Sequence, residues 1–120
     1  MADKVAQGAA RAYTEIELGG PCTEIESNPT VSTTVSQIVG GNGDRVGLLI
    51  INMGANQIEM GLTPSVSTTN AIPIPGGGGF FQVNVADDFT LPTRAWYAIT
   101  DAATTTLYIL EIVRISLSSV

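Results

Sequence analysis

The side chains of this 120-residue chain that could do chemistry are eleven acids and one cysteine; histidine is absent. The carboxylates include the close pairs Glu15/Glu17, Glu24/Glu26 and Asp87/Asp88. Two carboxylates can cleave a glycosidic bond when they face each other across a cleft. Closeness along the chain does not supply that arrangement, and the chain has few aromatic rings to stack a sugar. Asp87 and Asp88 lack the ligand spacing of a calcium loop, so they read as solvated loop acids. Without histidine there is no Ser-His-Asp triad, no Cys-His dyad and no His-bearing zinc set. Cys22 follows Gly19-Gly20-Pro21 and has no neighbouring base, which suits a small buried or interface residue better than a nucleophile. A phosphate loop needs Gly-Lys-Ser/Thr at the start of a helix. Gly76-Gly77-Gly78-Gly79 instead precedes Phe80-Phe81 at the start of a strand, so a flexible hairpin tip is expected. Gly40 to Gly43 fails the dinucleotide fingerprint for the same reason. The expectation is a protein with no catalytic residues, no metal and no cofactor, and hence not an enzyme.

Composition supports a surface-forming role. Charged residues make up 13% of the chain, against ~25% in typical soluble proteins, and mean hydropathy is +0.28. Such a chain is expected to have part of its surface covered by neighbours. The net charge is -6 and only five basic residues occur. Lys4, Arg11, Arg45, Arg94 and Arg114 are scattered, so no stripe exists to neutralise phosphates, and nucleic-acid binding is not expected. An anionic membrane would repel the chain, and no apolar run approaches the ~20 residues that cross a bilayer. No basic segment followed by an apolar one marks a signal peptide at the start. With one cysteine there is no intrachain disulfide, which fits folding in a reducing cytoplasm.

These residues are positioned by strands. Residues 13–18 alternate, with Ile16 and Leu18 on one apolar side. Residues 24–29 are polar and acidic and are expected to be a loop, so residues 1–30 form an N-terminal arm and 31–120 the folded domain. Residues 30–39 are a β-branched run with Val31, Thr33, Val35, Gln37 and Val39 on one face. Residues 45–52 place Val46, Leu48 and Ile50 on one face and Leu49 and Ile51 on the other, as in the middle of a packed sheet. Residues 57–62 form the next strand. Ile72 and Ile74 alternate with Pro73 and Pro75, which restricts them to a sheet edge. Residues 80–85 turn Phe81, Val83 and Val85 inward, and 87–92 form a loop or single turn. Residues 94–100 put Trp96 and Tyr97 on opposite faces, so one ring packs the core and the other faces outward or into an interface. Residues 105–117 are the longest strand. Leu107, Ile109, Val113 and Ile115 point one way; Tyr108, Leu110 and Ile112 point the other and need cover from a second layer or another subunit. The pattern predicts an all-β fold, a single jelly-roll-like β-sandwich or barrel with an N-terminal arm.

The succession Arg45-Val46-Gly47-Leu48-Leu49-Ile50-Ile51-Asn52, Ile58-Glu59-Met60-Gly61, Ile72-Pro73-Ile74, Trp96-Tyr97-Ala98-Ile99-Thr100 and Leu107-Tyr108-Ile109-Leu110-Glu111 resembles the small β-sandwich virion proteins of tailed bacteriophages. Within these it is most similar to the capsid decoration, or cement, proteins. The resemblance implies a structural protein on the outer surface of the capsid, made in the host cytoplasm. It would bind between subunits of the major capsid protein and form a homodimer or homotrimer. It further implies shell contacts from the arm, with Val5, Tyr13, Ile16 and Leu18 as the contacting side chains beside the strand face of Tyr108, Leu110 and Ile112. A receptor- or carbohydrate-binding module of a head fibre or tail is the alternative. An outward cluster of Trp96, Tyr97 or Phe80 around a groove would mark it, and a flat apolar patch with an ordered arm would mark decoration.

Overall fold

Strict alternation sends every second side chain of a strand into the core, and the longest strands here obey it. The computed structural model describes residues 21–115; Val5, Tyr13, Ile16, Leu18 and the strand expected over 13–18 lie outside them. Nine strands occur among the described residues: β1 (Cys22–Ser27), β2 (Thr30–Val31), β3 (Ser36–Val39), β4 (Arg45–Asn52), β5 (Ile58–Gly61), β6 (Ile72–Ile74), β7 (Phe80–Asn84), β8 (Trp96–Thr100) and β9 (Thr105–Arg114). A helical turn, α1 (Val85–Asp88), and a 3-10 turn, Leu91–Thr93, join β7 to β8.

The strands form two antiparallel sheets. One has the order β1-β9-β4-β7, with β2 also on β9; the other has the order β3-β8-β5-β6. The chain changes sheet at every connection from β2 to β9 except the one between β5 and β6. This is jelly-roll topology, and the sandwich-or-barrel choice resolves to a sandwich. Leu48, Ile50, Val83, Leu107 and Ile109 from the first sheet meet Ile58, Met60, Ile74, Trp96 and Ala98 from the second in one core cluster. The Trp96 ring stands edge-on to Phe81, with centroids 4.9 Å apart. Trp96 is thus the core ring, and Tyr97 faces away from it. Pro73 lies on β6, an edge strand, as its missing N–H requires.

Several expectations are corrected. Residues 24–29 are largely strand: β1 pairs with β9 from Cys22↔Arg114 to Ser27↔Ile109. Ile25 is the only large apolar side chain in this stretch, so the alternation left almost no signal; what holds it is the backbone of β9. The run over 30–39 is broken. Val31 pairs with Thr105 in the first sheet, whereas Gln37 pairs with Tyr97 in the second. A turn at Ser32 to Thr34, in which Thr34 N–H donates to Ser32 Oγ at 3.2 Å, makes the crossing. Val46 does not continue the buried row of β4. A bulge between Arg45 and Gly47 turns Arg45 inward instead, the usual effect of a bulge on side-chain direction. The four glycines at 76–79 are not a hairpin tip, because they carry the chain from β6 in one sheet to β7 in the other. They are also pinned: Gly77 N–H donates to Gly54 O at 2.7 Å and Gly78 N–H to Asn52 O at 2.9 Å. Gly77 and Gly78 have positive φ, which glycine adopts without strain.

Two polar centres lock the ends of the sandwich. Asn52 is fully buried. Its Nδ2 donates to Asn56 O at 2.7 Å and Ile74 O at 3.1 Å, and its Oδ1 accepts from Gly54 N–H and Thr105 Oγ1, each at 3.1 Å. Arg45 is 2% exposed. Its guanidinium donates to Glu111, Pro92 O, Arg94 O and Gly40 O, tying β4 to β9 and to the 3-10 turn. No buried side-chain nitrogen or oxygen among the described residues lacks a partner.

Phe89 stands apart. Its φ is 58° and ψ is −119°, and Thr90 follows at φ −92° and ψ 0°. These are the angles of a type II′ turn, whose first central position favours glycine. The ring is 84% exposed, so little packing offsets the strain. Phe89→Gly should therefore stabilise the fold. It relieves strain of about 1–3 kcal/mol against an unfolded-state entropy cost of about 0.5–1 kcal/mol. A melting temperature raised by a few degrees is the expected reading; a lower one would show that Phe89 packs more tightly than its exposure indicates.

Candidate interaction face

The outer face of the β1-β9-β4-β7 sheet gathers the side chains that alternation leaves outside the core. On β9 these are Tyr108, Leu110 and Ile112, the residues singled out from the sequence. Strand register sets them beside residues of β4: Ile51↔Tyr108, Leu49↔Leu110 and Gly47↔Ile112. The next strand adds Ile51↔Phe80, Leu49↔Gln82 and Gly47↔Asn84. On the other flank β1 adds Glu26↔Leu110 and Glu24↔Ile112. The result is an apolar band of Ile51, Leu49, Tyr108, Leu110 and Ile112 with acids along one side and amides along the other.

Gly47 shapes the band. A Cβ there would stand 3.3 Å from Ile112 Cγ1, so the glycine lets Ile112 lean across β4. A shallow groove of about 280 Å³ runs over it between β7 and β9. At one end of the band Phe80 is 63% exposed and Met53, just past β4, is 61% exposed. Two large apolar side chains held this far into solvent extend the patch beyond the half-buried centre.

The polar rim is wired to the band. Tyr108 Oη donates to Glu26 Oε2 at 2.9 Å, and this hydrogen bond pushes the phenol above its ordinary pKa. The neutral phenol is the favoured form in the fold, so any stability this bond adds is present below the unfolded pKa and is lost as pH rises through the folded one. In an ultraviolet titration, Tyr108→Phe should remove a high-pH phenol ionisation and Glu26→Gln should lower it; no movement in Glu26→Gln would show the bond absent in solution. At the far end, Cys22 is half-buried opposite Arg114. Burial pushes its thiol up, and Arg114 offsets this in smaller measure. A raised thiol pKa means little thiolate near neutrality, the opposite of an activated nucleophile.

The other chemistry-bearing residues do not converge. Asp88 accepts from Asn84 N–H at 2.9 Å, and Asp87 N–H donates to Asn84 Oδ1 at 2.9 Å, so Asn84 caps α1 and both acids are engaged with that cap. Trp96 is buried, Tyr97 lies on the outer face of the second sheet, and Phe80 lies on that of the first. The three therefore line no common groove. Among the described residues no three of His, Cys, Asp and Glu sit together in a way that could hold a metal ion, and no helix is long and apolar enough to cross a membrane. The strand pattern set Leu49 and Ile51 on the face opposite Leu48 and Ile50 and read both faces as packed; it did not place them beside Tyr108 and Leu110 on an outer face. Alternation turned Phe80 away from the core side of Phe81 and Val83, but it placed neither Phe80 nor Met53 at the end of this band.

No protein-family model matches the chain, and no curated protein matches it. Among solved structures it is similar to a chain of the Bacillus endospore appendages, a family of disulfide-linked pili. That match has 15% identity and a TM-score of 0.50, and covers 79% of this chain and 88% of that one. A more remote likeness is to PliG of Aeromonas hydrophila, a periplasmic inhibitor of g-type lysozyme. It has 14% identity and a TM-score of 0.33, and covers 81% and 90% of the two chains. At these identities the first likeness concerns the fold alone, and the second carries no argument. What the chain shares is a small all-β architecture.

Proposed function

We propose that this chain is a non-enzymatic structural subunit that docks through the outer face of its β1-β9-β4-β7 sheet. Its setting is the outer surface of a tailed-phage capsid, reached from the host cytoplasm, where it decorates and stabilises the shell. Its partners are the major capsid protein and further copies of itself. One observation carries the reading: the apolar band of Leu49, Ile51, Tyr108, Leu110 and Ile112 is continuous, acid-rimmed on one flank and not covered by any other of the described residues. The succession of strand sequences that resembles decoration proteins supplies the virion setting. A protein that binds the assembled lattice in preference to the free subunit stabilises the lattice by mass action, and many symmetric copies add avidity. The pilus chain of similar fold belongs to a disulfide-linked assembly; here the single cysteine allows at most one such link per chain, so cohesion must come from the apolar face.

The test is cosedimentation with genome-filled heads lacking the protein, followed by heating. Saturable binding that raises the temperature of genome release is expected. Leu110→Lys should weaken that binding at least about 100-fold, because it replaces an apolar contact with an ammonium that must be stripped of water in the interface even with Glu26 beside it. Its effect on the melting temperature of the free chain should be small, because Leu110 is only half-buried there. Failure of the wild-type chain to bind heads would sink the capsid reading. Unchanged binding by Leu110→Lys would move the contact to another face.

A further inference from the structure

A second site lies at one end of the sandwich, away from the outer sheet face. Between the sheets, next to the loop from Thr63 to Ala71, is an open cavity of about 540 Å³. Its walls include Met60, Leu62, Val66, Ile72, Phe81 and Trp96. The loop does not collapse into the space because it is tied to itself. Val66 N–H donates to Thr63 O at 3.3 Å, Ser67 and Asn70 form a two-residue bridge, and the Thr63 and Ser65 hydroxyls are 2.6 Å apart. The floor is equally fixed, since the Trp96 ring packs on Phe81 and its Nε1 donates to Leu91 O at 3.3 Å.

We infer that this cavity is a binding site for a small, neutral, largely apolar molecule. Size supports this: an apolar cavity of about 150 Å³ suffices to take up benzene, and ligand sites span about 300–1,000 Å³. Lining chemistry fixes the class. No charged side chain among the described residues contributes to the walls, so a carboxylate or ammonium would be buried without a counter-charge from them. The indole N–H is already bonded, so the floor offers no free donor. The polar side chains of the lining, Thr63 and Asn70, are exposed, placing them at the mouth. The ligand is therefore an aromatic or branched aliphatic body carrying at most one neutral polar end.

Trp96, the only tryptophan of the chain, reports on the site directly. The probe is N-phenyl-1-naphthylamine, which is neutral and apolar and accepts excitation energy from indole. Titration into the full-length protein should give saturable quenching of Trp96 with one probe per chain and a dissociation constant of roughly 100 μM. Ala71→Phe, which adds a ring to the cavity wall, should weaken binding at least tenfold; Leu49→Ser, on the outer sheet face, should leave it unchanged. Methyl NMR of the wild-type chain needs no variant: shifts on adding probe should fall on Leu62, Val66 and Ile72. No saturation, or shifts at Leu49, Leu110 and Ile112 instead, would overturn the inference.

Discussion

Asn52→Leu is expected to be among the most damaging single substitutions in this fold. Leucine matches the volume but satisfies none of the four groups that Asn52 serves: the carbonyls of Asn56 and Ile74, the Gly54 amide and the Thr105 hydroxyl. An orphaned buried polar group costs about 1–3 kcal/mol. The sum is at least about 4 kcal/mol, a large part of the 5–15 kcal/mol that typically holds a domain together. A melting temperature lowered by more than about 15 °C is expected. Asn52→Asp should be as severe, because it keeps the acceptor, loses both donors and buries a charge. Thr105→Val removes only one of the four bonds and should cost about 1–2 kcal/mol. If Asn52→Leu cost no more than Thr105→Val, water would have to be replacing the lost partners.

The second large effect belongs to the Arg45–Glu111 pair, with Nη2 to Oε1 at 2.7 Å. Glu111→Leu leaves the Arg45 charge buried against three carbonyls with no carboxylate. Breaking such a pair from one side costs about 3–5 kcal/mol. Combining Glu111→Leu with Arg45→Met should cost less than the two single changes added together, because an apolar pair leaves no stranded charge. Denaturant unfolding of the four proteins measures this coupling, and additive losses would show that the two side chains act independently. The effect should change little with added salt, because burial limits screening.

Much of this was legible in the chain. The outward row Tyr108, Leu110 and Ile112, the two-faced β4 and the edge placement of Pro73 all followed from alternation and from proline's missing donor. Strand pairing did not follow, since it depends on partners far apart in sequence. The acidic stretch at Glu24 to Ser27 offered one apolar side chain, and only the backbone of β9 makes it a strand. Arg45 and Asn52 were hidden for another reason. Their burial depends on carbonyls contributed by separate turns, and a lone Arg or Asn in a strand does not announce them. The tetraglycine looked like a free tip because composition conveys permissive backbone and not the two carbonyls that capture it.

The position of β9 also fixes the order in which this protein can be built. It is the last described strand, yet it pairs with β1, β2 and β4; Glu26 and Tyr108, joined across the first of these seams, are 82 positions apart. While β9 is still inside the ribosome, β4 lacks one neighbour and β1 lacks the only one it has among the described strands. The first sheet cannot close before β9 has emerged, and so many distant pairings place the fold among slow-folding topologies, in milliseconds to seconds. A nascent chain cut short anywhere before Thr105 lacks the strand that joins β1, β2 and β4, so it is expected to stay unfolded and to be open to proteolysis.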